Sequence, residues 1–128
     1  MQKPQILIVE DDDALRGELV ELLKALGSIA VGVEDGAAAV LASQHQAFDL
    51  VLCDYKLRHE SGLDVIKALA ELGNAPATAN CHLMTAHIVL TQSARTEIAA
   101  STGGLLLKPI GGSTLRRLVA QAAEARRC

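Results

Sequence analysis

The chain has almost no aromatic residues: its 128 residues include one tyrosine, one phenylalanine and no tryptophan. A core must therefore be built from aliphatic side chains, and the hydrophobic share of 50% is large enough to exclude a disordered chain. No apolar run reaches the roughly 18 residues of a membrane span. The first residues lead directly into a strand-like segment with no secretory signal, so we expect a cytoplasmic protein without membrane insertion.

Paired cysteines and a strong charge are also missing. The three cysteines, Cys53, Cys81 and Cys128, are odd in number and lack metal-type spacing, which favours free thiols in a reducing compartment. The formal net charge of −3 argues against direct nucleic-acid binding. With no linker, repeat or low-complexity tract, we expect residues 1–128 to form a single domain.

Short apolar runs alternate with helical patterns along the chain. The predicted strands cover residues 6–9, 29–33, 50–53, 81–84 and 105–107. The predicted helices cover residues 15–26, a short segment after Asp35, residues 62–72, residues 89–101 and a last segment after Ser113. Five strand–helix units with right-handed crossovers indicate an α/β fold with a doubly wound parallel sheet.

Several helix details are predicted as well. Asp12 or Asp13, Asp35 and Ser113 are the predicted N-caps, and Gly27 and Gly73 are predicted to end helices. In the third helix, Ile66, Leu69 and Leu72 are expected to face the core. The fourth helix has a poor apolar stripe and should be the least firmly held.

A polar group follows each of four apolar runs. Glu10 and Asp11 follow the first, Asp54 the third, Thr85 the fourth and Lys108 the fifth. The carboxyl ends of parallel strands meet at one edge of the sheet, where open α/β folds bind ligands. Three carboxylates, a hydroxyl and an ammonium would then converge, and together they predict a metal-assisted site for one phosphoryl group.

The acidic residues have distinct predicted roles. Asp54 is the candidate phosphoryl acceptor, because a carboxylate can form an acyl phosphate; a strand-end aspartate that caps a turn is the alternative. Glu10 and Asp11 are candidate metal ligands, since carboxylates about 4 Å apart repel by roughly 4 kcal/mol at an effective dielectric near 20. Oxygen ligands favour Mg²⁺. Asp12 and Asp13 are better explained as acids at a helix N-terminus.

The remaining candidates would bind phosphate oxygens. Lys108 offers a point charge, and a surface lysine is the alternative reading. Thr85 offers a hydroxyl and Ala86 its backbone N–H, although a threonine here is also an ordinary strand residue. The Lys108–Pro109 bond is a candidate cis peptide that would aim the amine inward.

These motifs together resemble the receiver domain of two-component response regulators. The matching sequence segments are Ile-Leu-Ile-Val-Glu-Asp-Asp, Cys-Asp-Tyr-Lys-Leu, Met-Thr-Ala and Leu-Lys-Pro. In addition, Gly62 stands eight residues after Asp54. The resemblance covers essentially the whole chain. It implies a flavodoxin-like (βα)5 three-layer sandwich whose five-stranded parallel sheet has the order 2-1-3-4-5.

The resemblance also implies a function: a histidine kinase or phosphotransfer protein would phosphorylate Asp54 in a phosphorelay. Mg²⁺ would be bound by Asp11 and Asp54, by Glu10 through water, and by the backbone carbonyl of Lys56. Lys108, Thr85 and Ala86 would hold the phosphate, and the surface of the last two units would then shift for a downstream partner. This is a signalling role rather than an enzymatic one, carried by a monomer or a weak homodimer.

Departures from the family pattern qualify that expectation. Leu105 stands three residues before the lysine, where Tyr or Phe is usual, and predicts a small or atypical switch. Arg58 stands where members of the family commonly have proline, in the loop after Asp54. This difference implies a more mobile loop or a contact of Arg58 with a partner. Lys56 and His87 occupy positions that tune phosphate loss in the family. His59 and His87 are not read as phosphate-relay histidines, nor Cys53 as a nucleophile.

Three other functions fit parts of the pattern. A Mg²⁺-dependent phosphohydrolase would also use an aspartyl phosphate, but the haloacid-dehalogenase type has its motifs in the reverse order. A nucleotide or flavin module is disfavoured because no G-x-G-x-x-G or Walker A sequence is present. A receiver that docks partners without switching remains open because of Leu105.

Overall fold

The computed structural model describes residues 2–86 and 89–127 and contains a parallel five-stranded sheet with helices on both faces. The strands are β1 Gln5–Val9, β2 Ile29–Val33, β3 Leu50–Asp54, β4 Cys81–Thr85 and β5 Gly104–Leu107. The helices are α1 Asp13–Ala25, α2 Gly36–His45, α3 Gly62–Glu71, α4 Gln92–Ser101 and α5 Gly112–Arg127, and a 3-10 turn covers Thr78–Asn80. Strands and α-helices therefore alternate as predicted.

The order of strands in the sheet is β2-β1-β3-β4-β5, and every pairing is parallel, which confirms the expected doubly wound fold. All five residues of β3 are buried, as expected of a central strand covered on both faces. Because β1 and β4 flank β3, the residues that follow these strands emerge beside its carboxyl end.

Aliphatic side chains fill both halves of the core. On one face, helices α2, α3 and α4 contribute buried residues, among them Ala39, Leu63, Ile66, Leu69 and Ile98. On the other face, α1 and α5 contribute Leu19, Leu23, Leu115, Leu118 and Ala122. The single phenylalanine, Phe48, is also buried, so a core almost without aromatic residues still covers both faces of the sheet.

The helix ends follow the predicted chemistry at several positions. Asp12 accepts a hydrogen bond from the N–H of Leu15, and Asp35 accepts one from Ala38. Gly27 and Gly73 have φ values of +99° and +74°, a region that favours glycine, directly after α1 and α3.

Other local predictions were wrong. Ser113 does not precede the last helix, because α5 begins at Gly112. Helix α4 begins at Gln92 rather than at residue 89, since the side chain of Thr91 caps it. Leu72 is 55% exposed because it follows the last turn of α3 instead of continuing its apolar face.

Helix α4 has a thin apolar face, as its sequence predicted. Ile98 is its one buried residue, whereas α3 buries five. Its expected weak attachment stays a prediction.

Among the described residues, no helix combines the length and the hydrophobicity needed to cross a bilayer.

Candidate functional site

The carboxyl ends of β1 and β3 bring three acidic residues together. Val9 pairs with Cys53, so the residues that follow β1 emerge beside Asp54. Glu10, Asp11 and Asp54 each offer a carboxylate oxygen, and these atoms all lie within 4.8 Å of one another. Glu10 is 1% exposed and Asp54 8%, whereas Asp11 is half-buried. The cluster thus has two buried members and one that faces the surface.

Lys108 reaches this cluster from the end of β5. Its Nζ donates to Oε1 of Glu10 at 2.9 Å and to Oδ2 of Asp54 at 3.0 Å. The Lys108–Pro109 peptide bond is cis, as expected. The backbone N–H of Lys108 donates to the carbonyl of Thr85 at 2.8 Å, which ties the start of this segment to β4.

Burial sets the electrostatics of the cluster. Burial raises the pKa of Glu10 to about 7, the neighbouring Asp54 adds to the effect, and Lys108 opposes it. Burial lowers the pKa of Lys108, but its hydrogen bonds to Glu10 and Asp54 outweigh burial and leave that pKa raised. One ammonium therefore compensates two buried carboxylates, those of Glu10 and Asp54.

The donor set fits a hard divalent cation. Oε2 of Glu10 is buried, and none of the residues in 2–86 and 89–127 gives it a hydrogen bond. Mg²⁺ binds through one or two carboxylates and keeps several waters, and it needs oxygen ligands. Glu10, Asp11 and Asp54 offer carboxylate oxygens within a small volume and could hold such an ion.

The threonine and its neighbour lie on the adjacent strand. Asp54 pairs with Met84, and Thr85, the last residue of β4, directly follows. Thr85 is 4% exposed, whereas Ala86 is exposed. His87, the position expected to tune phosphate loss, lies outside the described residues.

The loop between β3 and α3 carries the predicted backbone ligand. The N–H of Lys56 donates to Oδ1 of Asp54 at 3.3 Å, so this peptide adjoins the aspartate. Lys56 forms an isolated antiparallel bridge with Ser61 across the loop. Arg58 and His59 are exposed at its tip.

Arg16 belongs to the site, although its sequence context did not reveal it. Its Nη1 donates to the backbone carbonyl of Glu10 at 2.9 Å, and its Nη2 pairs with Asp13 at 2.6 Å. A Cβ at Gly32 would lie 2.9 Å from Cγ of Arg16, so the arginine stem crosses the strand where no side chain stands. A glycine inside a strand pattern signals such a close approach and could have pointed to this contact.

Leu105 and Cys53 are packed in the apolar core. Leu105 is half-buried against the cluster formed by β3, β4 and α3, so the position of the usual aromatic residue holds a core aliphatic side chain. Cys53 is fully buried, and burial raises the pKa of its thiol, in line with a core residue rather than a nucleophile.

Known proteins share this sequence pattern and fold. The family model of the response regulator receiver domain matches residues 6–120. The chain is 31% identical over 118 residues to the sensor protein GacS of Pseudomonas syringae pv. syringae, covering 91% of this chain and 13% of GacS. It is 30% identical over 122 residues to the alginate biosynthesis transcriptional regulatory protein AlgB of Pseudomonas putida, covering 95% of this chain and 26% of AlgB. The chain thus spans only a small part of these relatives.

Solved structures agree on the fold. The chemotaxis protein CheY4 of Vibrio cholerae superposes with a TM-score of 0.83 at 21% identity, covering 94% of this chain and 99% of that one. The CheY-like receiver domain from Methylobacillus flagellatus gives a TM-score of 0.79 at 27% identity, with the same coverage. Since the family model also spans nearly the whole chain, this protein is a member of the response regulator receiver domain family.

Proposed function

We propose that the chain is a phospho-accepting receiver in which Asp54 takes one phosphoryl group from a phosphohistidine with the help of Mg²⁺. The observation that carries this proposal is the meeting of Lys108 with Asp54 and Glu10 at the end of β3, with Asp11 beside them. A carboxylate can accept a phosphoryl group covalently, and phosphoryl transfer depends mainly on positioning and on neutralising charge, which the ammonium and a cation held by the acidic residues would supply.

The proposed transfer moves the phosphoryl group from a phosphohistidine to Asp54. A carboxylate oxygen of Asp54 attacks the phosphorus atom, an O–P bond forms, and the P–N bond to the donor imidazole breaks. The released imidazole nitrogen keeps the bonding electron pair and can bind a proton. Lys108, whose Nζ lies 3.0 Å from Oδ2 of Asp54, would neutralise a phosphate oxygen.

The acidic residues would hold the cation. Asp11 and Asp54 are the proposed direct ligands, Glu10 acts through water, and the backbone carbonyl of Lys56 completes the protein's share. When bound, Mg²⁺ supplies positive charge that offsets both the clustered carboxylates and the incoming phosphoryl oxygens.

Other groups would bind the phosphate on Asp54 and change the protein surface in response. The Thr85 hydroxyl and the Ala86 N–H are proposed to bind the remaining phosphate oxygens, and a movement of Thr85 would alter the surface of the last two strand–helix units. Lys56 is proposed to influence phosphate lifetime.

The wider setting follows from the same proposal. The donor is a histidine kinase or a phosphotransfer protein, the output is a protein contact, and the chain itself is not an enzyme. It acts in the cytoplasm as a monomer or weak homodimer, without direct nucleic-acid binding or membrane insertion.

The acceptor can be tested with phosphoramidate, a small donor that contains a P–N bond. With Mg²⁺, intact-mass measurement should show one added phosphoryl group, and Asp54→Asn should abolish it. Asp64→Asn, which removes an exposed carboxylate on α3, is the matched control and should be labelled normally. Labelling of the Asp54→Asn protein would refute the proposal, and steady turnover of a phosphate ester would favour a phosphohydrolase.

Asp11 and its neighbour Asp12 allow a matched test of the proposed metal site. Asp11→Asn should weaken Mg²⁺ binding by about tenfold or more, because it removes the negative charge of a proposed direct ligand. Asp12→Asn makes the same charge change one residue away and keeps a side chain that can cap α1. The fluorescence of Tyr55, the one tyrosine of the chain, reports binding because it directly follows Asp54. Equal losses in both variants would contradict the assignment.

Leu105 supports one alternative within the family, a receiver that docks a partner without switching. Such a receiver should bind its partner equally well as the wild type and as Asp54→Asn.

A further inference from the structure

Glu60 reaches from the loop after β3 to the start of α2. Its Oε2 accepts a hydrogen bond from the backbone N–H of Gly36 at 2.8 Å, across 24 residues of sequence. The first N–H groups of a helix have no partner within the helix, and a carboxylate is stabilised there. Asp35 caps the N–H of Ala38 in the same turn, so two carboxylates serve different donors of one helix end.

The contact depends on the absence of a side chain at position 36. A Cβ added to Gly36 would lie 2.5 Å from Oε1 of Glu60, too close for the present geometry. Alanine at this position would therefore push the carboxylate away, and its Cβ would also lie 3.0 Å from Cγ2 of Val65 on α3.

The same loop is closed by backbone hydrogen bonds around Lys56. The N–H of Leu57 donates to the carbonyl of Glu60 at 3.0 Å, and the N–H of Gly62 donates to the carbonyl of Tyr55 at 2.8 Å. Glu60 thus anchors to α2 the limb of the loop that pairs with the segment containing Lys56.

We propose that Glu60 is a positioning residue for the phosphoryl and metal site. By tying the loop to α2, it would hold the Lys56 peptide in place for the proposed cation. A loop that is ordered before binding loses less conformational entropy when its carbonyl binds a cation, and this raises affinity. The inference rests on the proposed function, because it assumes that Mg²⁺ binds at this site.

The first test compares Mg²⁺ affinities, followed by Tyr55 fluorescence. Glu60→Ala should weaken binding by about fivefold, whereas Glu60→Gln, which keeps an acceptor for the Gly36 N–H, should stay within about twofold of the wild type. Asp35→Ala is the matched control, since Asp35 caps the same helix and lines the same cavity beside Asp11. Asp35→Ala and Glu60→Ala each remove one negative charge. A loss of Mg²⁺ affinity that is larger in Glu60→Ala than in Asp35→Ala is therefore due to the loop.

A double-mutant cycle provides a second route. Gly36→Ala should also weaken Mg²⁺ binding by displacing Glu60, and Glu60→Ala/Gly36→Ala should bind no more weakly than the weaker single variant. Additive losses would show that the two residues act separately and would overturn the inference.

Amide exchange separates the outcomes. In the absence of Mg²⁺, the amides of Leu57 and Gly62 should exchange faster in Glu60→Ala than in the wild type or in Asp35→Ala. If the wild type binds Mg²⁺ and Glu60→Ala binds it equally well with unchanged exchange, the inference alone fails. If the wild type does not bind Mg²⁺, the proposed function fails, and the positioning role fails with it.

Discussion

The ammonium nitrogen of Lys108 lies 2.9 Å from Oε1 of Glu10, although 98 residues separate them in sequence. The Glu10 side chain is 1% exposed and that of Lys108 17%, so water screens this pair poorly. The lysine therefore has a structural role in addition to its proposed role toward phosphate: it compensates charge at the junction of β1, β3 and β5.

Removal of Lys108 should destabilise the metal-free protein. Lys108→Ala leaves buried carboxylates without their compensating ammonium. We expect the free energy of unfolding to fall by about 2 kcal/mol. This loss is smaller than that for a fully buried pair because the lysine is partly exposed. Urea denaturation without divalent cations measures this loss.

The control for Lys108→Ala is Lys67→Ala, which breaks the exposed 2.8 Å pair between Lys67 and Glu97. Its effect should be much smaller than that of Lys108→Ala, because solvent screens an exposed ion pair. Equal effects of the two substitutions would show that the buried position of Lys108 has no special importance.

Arg16 should influence metal affinity through the backbone of Glu10. Arg16→Met keeps most of the aliphatic stem that crosses Gly32 but removes the donor to the Glu10 carbonyl. We expect Mg²⁺ binding to weaken by about threefold to tenfold, as for other residues that orient metal ligands. Arg117→Met, on the exposed side of α5, should leave the affinity unchanged. A loss of thermal stability with unchanged affinity would contradict the role.

Leu105 predicts a small response to phosphorylation. A leucine can change rotamer but cannot swing a ring, and its half-buried position against the core leaves little room for movement. Amide chemical shifts with and without beryllofluoride, a phosphate mimic, should change near Asp54 and little over α4 and β5. Leu105→Tyr should enlarge the change over those elements. A large movement of Leu105 and its neighbours in the wild type would refute this prediction.

His82 should make stability depend on pH. Burial between β4 and α5 lowers its pKa below the ordinary value of 6.5, and Arg117 adds to the shift while a hydrogen bond to Gln121 opposes it. The unfolded chain therefore binds the proton more readily. The stabilising contribution is complete above about pH 6.5 and is lost as the pH falls through the lower folded-state pKa.

His82→Gln removes this titration, so its free energy of unfolding should fall less than that of the wild type between about pH 7 and pH 5. Glu10, with its pKa raised to about 7, acts in the opposite direction, and only the difference between variant and wild type isolates the histidine. His45→Gln, at an exposed position, should behave like the wild type. Parallel pH curves for the wild type and His82→Gln would contradict the prediction.

Local patterns predicted most of the fold because they depend on residues close in sequence. Apolar runs and helical spacing placed all five strands and five helices, and capping chemistry correctly placed Asp12, Asp35 and two glycines. Errors fell at helix ends, as when α4 began at Gln92, after the Thr91 cap, instead of at residue 89. The side chain that caps a helix is decided by its exact backbone geometry, which a sequence pattern does not contain.

The sequence by itself determined which chemical groups stand at the ends of the strands. Each strand is a short run of consecutive apolar residues, so the polar residue that follows the run can be identified without the structure. Only the tertiary structure decided that Arg16 would cross Gly32 and that Glu60 would bind the helix start at Gly36, since each contact joins distant segments. Such contacts depend on distances of a few tenths of an ångström between packed elements, and those distances are set when the whole chain is folded.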